Sequence, residues 1–340
     1  MGKWMNEYLE KLAANRRETS DAGGAQRIEL QHRLGKRTAR ERIEYLADQG
    51  SFEELGSQVR EFRFGREGEA KPSPSDGVIM GHARVLGRPV MVYAMDFTVM
   101  SGSIGDQGIW KIAELIEMAG QQQMPVIGMF DSAGSRISFK NGYVGLNGMG
   151  RLMRNYCLYS GVIPQIALVL GPCTGPLAQV PVLADFLIIN ANTGFLWWGG
   201  DIASDDAGSA EFHMEKSGQC DLIADSDERA IDMVKQLLQF IPQNCWEKPV
   251  AAESTDDPER SEEALLDVMP DDPKFTYDIH EIIDLIVDNG EFFELKADFA
   301  PNLVTGFARF DGMVTGIAAS NPDELSGIME PDASDKYDRF

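Results

Sequence analysis

PVIGMFDSAGSRI, residues 125–137, joins an apolar run of strand length to a turn made of small residues. The arrangement returns in IALVLGPCTGPLA, residues 166–178. Neither run has a polar face, so both strands must be covered on two sides, as in a parallel sheet packed between helices. Working outward, the segment 109–122 (IWKIAELIEMAGQQ) and a second segment at about 146–160 have helical texture and precede the two strands. Residues 77–97 (GVIMGHARVLGRPVMVYAMDF) read instead as hairpin strands, with short alternating runs broken at glycine. Residues 3–47 read as helices, with Leu9, Leu12, Ile43 and Leu46 at helical spacing among charges. An α/β fold is expected.

An internal repeat organises the chain. GSFEEL at 50–55 recurs as GEFFEL at 290–295, an offset of 240, whereas GHAR at 81–84 recurs as GFAR at 306–309, an offset of 225. The pair Ser101-Gly102 recurs at the second offset as Ser326-Gly327. Two related domains with one hairpin-then-helix plan are implied. The expected divisions are a helical arm at 1–48, a first domain at 49–246, an acidic linker at 247–270 and the opening of a second domain at 271–340. A counterpart of Asp131 would fall near 356, past Phe340, so the second domain is expected to be completed by another chain or by a continuation of this one.

Composition narrows the function. Thirty-one Lys and Arg against 54 Asp and Glu leave a net charge of −23, which repels nucleic acid and acidic membrane surfaces. No run of about 18 apolar residues is present, nor a signal-peptide core. The four cysteines show no CxxC spacing and the four histidines no HxxxH, so neither a disulfide framework nor a metal site is expected. A cytoplasmic location fits. The basic stretch HRLGKRTARERI, residues 32–43, reads as a solvated helix face or as an anion-binding arm.

The turns at 131–137 and 171–178 stand at strand carboxyl ends, where ligands bind in such sheets. If they converge, their N–H groups form an oxyanion hole; the alternative is that the glycines serve only tight turns. Side-chain catalysis has less support. There is no GxSxG elbow, and none of His32, His82, His213 or His280 can be tied to a serine. Cys173 is either a thiol nucleophile or a packing residue.

The segments GKRTARERIEYL, DGVIMGHARVLGRPVMVYAMDFTVMSGS, DSAGSRI, SGVIPQIALVLGPCTG, LLQFIPQN and GEFFELKADFAPNLVTGFARFDG resemble the carboxyltransferase (beta) subunits of biotin-dependent acyl-CoA carboxylases, of the propionyl-CoA carboxylase and methylmalonyl-CoA transcarboxylase kind. The resemblance implies a crotonase-like ββα-spiral. It implies an acyl-CoA thioester as substrate, biotin carried on a partner protein, biotin carboxylase and carboxyl carrier subunits, an oligomer, and no metal. The amides of the two turns would stabilise the thioester enolate: Ser135 beside Gly134 in the first, and the Gly175 turn in the second. Ala133, Arg33, Lys36 and Arg37 become candidates for coenzyme A, and Trp197 and Trp198 for the acyl pocket. The segment after Gly200 is shorter than the family's. Where the family has two glycines, this chain has Gly175-Pro176, and proline offers no N–H. Leu177 or a rearranged turn is expected to replace that donor. A non-catalytic assembly or CoA-ester-binding subunit, and a biotin-dependent decarboxylase, are the alternatives.

Overall fold

The architecture is that of a computed structural model, which describes residues 2–64, 70–138, 142–143, 146–199, 206–257, 259–272 and 274–340. The chain divides into two compact units. The first comprises residues 1–210, 224–235 and 243–245, and the second residues 211–223, 236–242 and 246–340.

The first unit opens with three helices, α1 (Lys3–Ser20), α2 (Ala25–Arg33) and α3 (Ala39–Leu46). A capping box starts α3: the Thr38 hydroxyl accepts from the Glu41 N–H and the Glu41 carboxylate accepts from the Thr38 N–H. The sheet comes next, built from β1 (Glu53–Leu55), β2 (Val78–Val85), β3 (Arg88–Met95), β4 (Val126–Ser132), β5 (Gln165–Thr174) and β6 (Phe186–Asn190), hydrogen-bonded in that order. The β1–β2 and β2–β3 pairs are antiparallel, and from β3 onward the pairing is parallel. A short strand, β7 (Phe195–Trp197), pairs in parallel with the far end of β5.

Parallel neighbours require crossovers: α4 (Asp106–Gln122) joins β3 to β4, α5 (Leu146–Tyr159) joins β4 to β5, and the short helical segment 175–182 joins β5 to β6. The buried positions of α4, Ile109, Ile112, Ala113, Ile116 and Ala119, recur three and four residues apart, so one apolar face lies on the sheet. Every residue of β4 is buried, as an apolar strand covered on both sides must be. The helix is stopped at Gln123, which takes a left-handed conformation at φ 58°.

The second unit repeats this plan on a smaller scale. It contains α6 (Ile279–Ile286), β8 (Phe293–Leu295), β9 (Leu303–Phe310), β10 (Met313–Ser320) and α7 (Pro331–Arg339). The strands form an antiparallel sheet in the order β8-β9-β10. Ile283, Val287, Val304 and Ala308 form its core. Offsets from the sequence carry through: α3 and β1 map onto α6 and β8 at 240, and β2, β3 and the first residue of α4 map onto β9, β10 and the first residue of α7 at 225. The hairpin turns also match, with Leu86-Gly87 and Asp311-Gly312 all at positive φ, the requirement of a type I′ turn.

Candidate functional site

The first turn leaves β4 at Ser132. Its hydroxyl donates to the Gly102 carbonyl at 2.6 Å and accepts from the Gly134 N–H at 3.0 Å. The Ala133 N–H donates to Ser101 O at 2.9 Å, and the Arg136 N–H to Ile104 O at 2.8 Å, while the Ile104 N–H donates to Gly134 O at 3.0 Å. Every amide around Ser135 is therefore tied down, and the Ser135 N–H alone has no partner among the described residues. The loop that receives these bonds is itself strained, with Met100, Ser101 and Gly102 all left-handed at φ 51°, 55° and 63°. The Arg136 guanidinium braces the turn through Asp76 at 2.6 Å, the Ser103 carbonyl at 2.7 Å and the Glu61 carboxylate.

The second turn leaves β5 at Thr174 and continues as a 3-10 turn over Gly175–Ala178, with Gly175 at φ 65°. The two turns touch: a Cβ on Gly134, which stands at φ 95°, would lie 2.7 Å from Thr174 O. Only glycine permits that approach. Leu177 does not supply the donor expected in place of Pro176. The i to i+3 pattern of the 3-10 turn commits its N–H to the Thr174 carbonyl, and its side chain is buried. Trp197 is brought beside this turn by its register opposite Thr174 and is half-buried, whereas Trp198 is exposed. Ala133 is exposed at the tip of the first turn. Cys173 is no nucleophile: it is fully buried, and burial pushes its thiol well up. Of the shortened segment after Gly200, residues 201–205 lie outside the described residues.

Beneath the turns lies a buried ion cluster. Asp131 Oδ1 accepts from Lys36 Nζ at 2.7 Å, and Oδ2 accepts from Arg42 Nη1 at 2.9 Å and Gln31 Nε2 at 2.8 Å. Arg42 Nε also donates to Asp227 Oδ2 at 2.8 Å, and Nη2 to the Leu170 carbonyl at 3.0 Å. Asn190 Nδ2 completes Asp227 at 3.0 Å. Burial lowers the Lys36 pKa and Asp131 opposes the shift; burial likewise disfavours charge on Arg42, but Asp131 and Asp227 raise its pKa.

These contacts revise the basic stretch. Lys36 is withdrawn from the phosphate candidates, because its side chain is 5% exposed and its ammonium already faces a buried carboxylate. Arg33 and Arg37 stay at the surface, paired with Glu29 at 2.5 Å and Glu228 at 2.6 Å. Such exposed pairs are weak and exchange readily for another anion. Sequence reasoning passed over Arg42, Asp131 and Asp227. The available signal was an aspartate ending a wholly apolar strand, since a buried carboxylate needs a cation.

Among the histidines, His213 Nδ1 lies 3.0 Å from Ser217 Oγ, a local i to i+4 contact in the second unit, and His32 and His280 face carboxylates. Among the described residues no group of three or more His, Cys, Asp or Glu is arranged to hold a metal ion, and no helix is long and apolar enough to cross a membrane.

Comparison with known proteins is consistent with this geometry. A model of the carboxyl transferase domain matches residues 30–340. The chain is 40% identical to the propionyl-CoA carboxylase carboxyltransferase subunit of Haloferax mediterranei, over 99% of this chain and 67% of the relative. It is 36% identical to the methylmalonyl-CoA decarboxylase subunit alpha of Veillonella parvula, over 99% of this chain and 68% of the relative. Among solved structures, the transcarboxylase 12S hexamer with methylmalonyl-coenzyme A and methylmalonic acid bound superposes with a TM-score of 0.93 at 37% identity, covering 100% of this chain and 67% of that one. The chain thus spans about two thirds of the length of each.

Proposed function

The chain belongs to the carboxyl transferase family and has its crotonase-like α/β fold, and on that premise we propose that it is the acyl-CoA-binding carboxyltransferase component of a biotin-dependent acyl-CoA carboxylase. The observation that carries this reading is the Ser135 N–H, which has no partner among the described residues and sits in a turn whose neighbouring amides are bonded and which touches Thr174. A thioester carbonyl placed against it would have its oxygen stabilised as the α-carbon loses a proton and the oxygen takes the charge. One such donor contributes about 3 kcal/mol of transition-state stabilisation. Carboxybiotin, carried on a partner, would supply the carboxyl group to the α-carbon, and the ureido nitrogen released when its N–C bond breaks would take up the α-proton, so that the exchange balances. This chain's part is to bind the thioester, orient it and hold the enolate oxygen. No side-chain nucleophile is required.

The remaining assignments rest on the same reading. Ala133, Arg33 and Arg37 are the coenzyme A candidates left once Lys36 is withdrawn. Trp197, beside the second turn, walls the acyl pocket with Trp198. The partners are the biotin carboxyl carrier and biotin carboxylase subunits, in a cytoplasmic oligomer. The second unit also calls for a partner. In the first unit β3 pairs in parallel with β4, but β10, its repeat, has no second neighbour among the described residues. A strand and turn equivalent to β4 and the Ser135 turn, from another chain or a continuation of this one, fits that edge and would provide the biotin-side site.

The test is the assembled complex assayed with propionyl-CoA, ATP and bicarbonate, comparing Ser135→Ala with Ser135→Pro. Alanine keeps the N–H, so kcat should stay within about threefold; proline removes it and should cost ~100-fold or more. Inactivity of Ser135→Ala would defeat the backbone-donor reading. Pro176→Gly, which adds an N–H to the second turn, should raise turnover if that half of the hole is weakened. No effect of any of these changes would favour a non-catalytic CoA-ester-binding subunit. The decarboxylase relative keeps a second reading open, and a requirement for ATP and bicarbonate separates the two.

A further inference from the structure

The buried ion cluster stands where the two turns are set against each other. Asp131 is the last residue but one of β4, immediately before the Ser135 turn. The pairing of β4 with β5 loses its register at this point: Phe130 pairs with Val169, but Ser132 pairs with Cys173. One residue of β4 therefore faces three of β5, Leu170, Gly171 and Pro172. A bulge of this kind bends a strand and re-aims the segment beyond it, which here is the second turn.

The cluster fills that bulge from both sides. The Asp131 carboxylate lies so close to Gly171 that a Cβ there would be 2.0 Å from Oδ1 and 2.8 Å from Lys36 Nζ. Arg42 binds across it, donating to Asp131 of β4 and to the Leu170 carbonyl of β5. Lys36 and Arg42 come from the N-terminal arm, Lys36 in the loop after α2 and Arg42 within α3. We propose that Lys36, Arg42 and Asp131 are positioning residues, a clamp through which the N-terminal arm fixes the register of the Ser135 turn against the Gly175 turn. The basic stretch is then an anion-binding arm whose anions are carboxylates of this chain. As a mechanism it rests on the proposed enolate site; as a structural device it does not.

Lys36→Met is the informative variant, because Arg42 and Gln31 still satisfy Asp131. In the assembled complex with propionyl-CoA, ATP and bicarbonate, kcat should fall ~10- to 100-fold while KM stays within about twofold, since a small misplacement of donors affects the transition state more than binding. Deuterium uptake should quicken in peptides covering 131–136 and 171–177 and stay at the wild-type rate elsewhere in the first unit. Lys36→Met combined with Asp131→Asn should be no slower than the slower single variant, as expected of groups acting as one device. The clamp is overturned if uptake at the two turns is unchanged, if it rises uniformly across the unit, or if KM rises with kcat intact. If the wild-type complex turns over no acyl-CoA, the enolate reading fails, and deuterium uptake alone decides the clamp.

Discussion

The loops at 100–104 and 325–329 are the same backbone in two settings. In each, two successive residues and a glycine stand left-handed: Met100, Ser101 and Gly102 in the first unit, Leu325, Ser326 and Gly327 in the second. Corresponding internal bonds close both loops: the N–H groups of Gly102 and Ser103 reach Val99 and Met100, and those of Gly327 and Ile328 reach Glu324 and Leu325. What differs is the rest. The Ser101 and Gly102 carbonyls and both backbone groups of Ile104 hold the Ser135 turn, whereas the equivalent groups of Ser326, Gly327 and Met329 have no partner among the described residues, and Leu325, Ile328 and Met329 are 60%, 65% and 50% exposed. The strained loop is thus a property of the repeat, not a consequence of the turn it carries. It is a seat, filled in one copy and without an occupant among the described residues in the other.

The largest test of that contrast is steric. A Cβ on Gly102 would lie 2.1 Å from the Asp131 carbonyl, while one on Gly327 meets nothing closer than 3.4 Å. Gly102→Ala should cost about 3 kcal/mol or more, from backbone displacement added to the left-handed penalty, and Gly327→Ala only about 1–2 kcal/mol. Urea unfolding of the two variants measures this, and equal losses would break the comparison. A second test uses a feature that the copies share. Lys111 in α4 and its repeat Lys336 in α7 are both buried: Lys111 donates to the carbonyls of Ser75 at 3.1 Å and Val78 at 2.5 Å, and Lys336 to those of Lys296 and Phe299 at 2.8 Å. Burial lowers both lysines to a pKa of about 8. Removing either ammonium orphans carbonyls, so Lys111→Met and Lys336→Met should each destabilise by roughly 2 kcal/mol. A large effect at one and none at the other would mean that only one copy uses the device.

Ser132 sharpens the contrast from the filled side. Ser132→Ala frees the Gly134 N–H and leaves Gly102 O without its donor, so turnover should fall ~10-fold at nearly constant KM. Unchanged steady-state kinetics would show that the hydroxyl does not orient the turn. The smallest effect is confined to the second unit. Burial works against a charged His280, but Asp278 and Glu294 outweigh it, and its pKa is raised above 6.5. A folded pKa above the unfolded one adds stability that is complete below pH ~6.5 and is lost as pH rises through the folded value. Because the side chain is 34% exposed and the pairs are screened by solvent, the contribution is about 0.5 kcal/mol at most. His280→Gln should flatten this small slope in melts taken across that window, and a slope as steep in the variant as in the wild type would assign it to another group.

Much of this was legible in the residues. The apolar runs ending in DSAGS and GPCTGP placed two turns at strand ends, because an all-apolar strand must be covered on both faces. The repeat offsets located β9, β10 and α7, since a hairpin and its glycine turn leave a spacing that survives sequence change. The fate of the charges was not legible. Lys36 and Arg33 are both cations of one basic stretch, three residues apart, yet one is buried on Asp131 and the other is at the surface. Leu177 looked available as a donor until the 3-10 turn committed its N–H.

The sequence by itself therefore determined the α/β plan, its duplication and the two glycine turns, because hydrophobic period and turn chemistry act between near neighbours along the chain. Only the tertiary structure decided which amide is left without a partner among the described residues, which cation meets which carboxylate and which of the two seats is filled. Those outcomes depend on contacts between residues about a hundred positions apart, such as Gln31 with Asp131, and no local pattern encodes the partner of a buried charge.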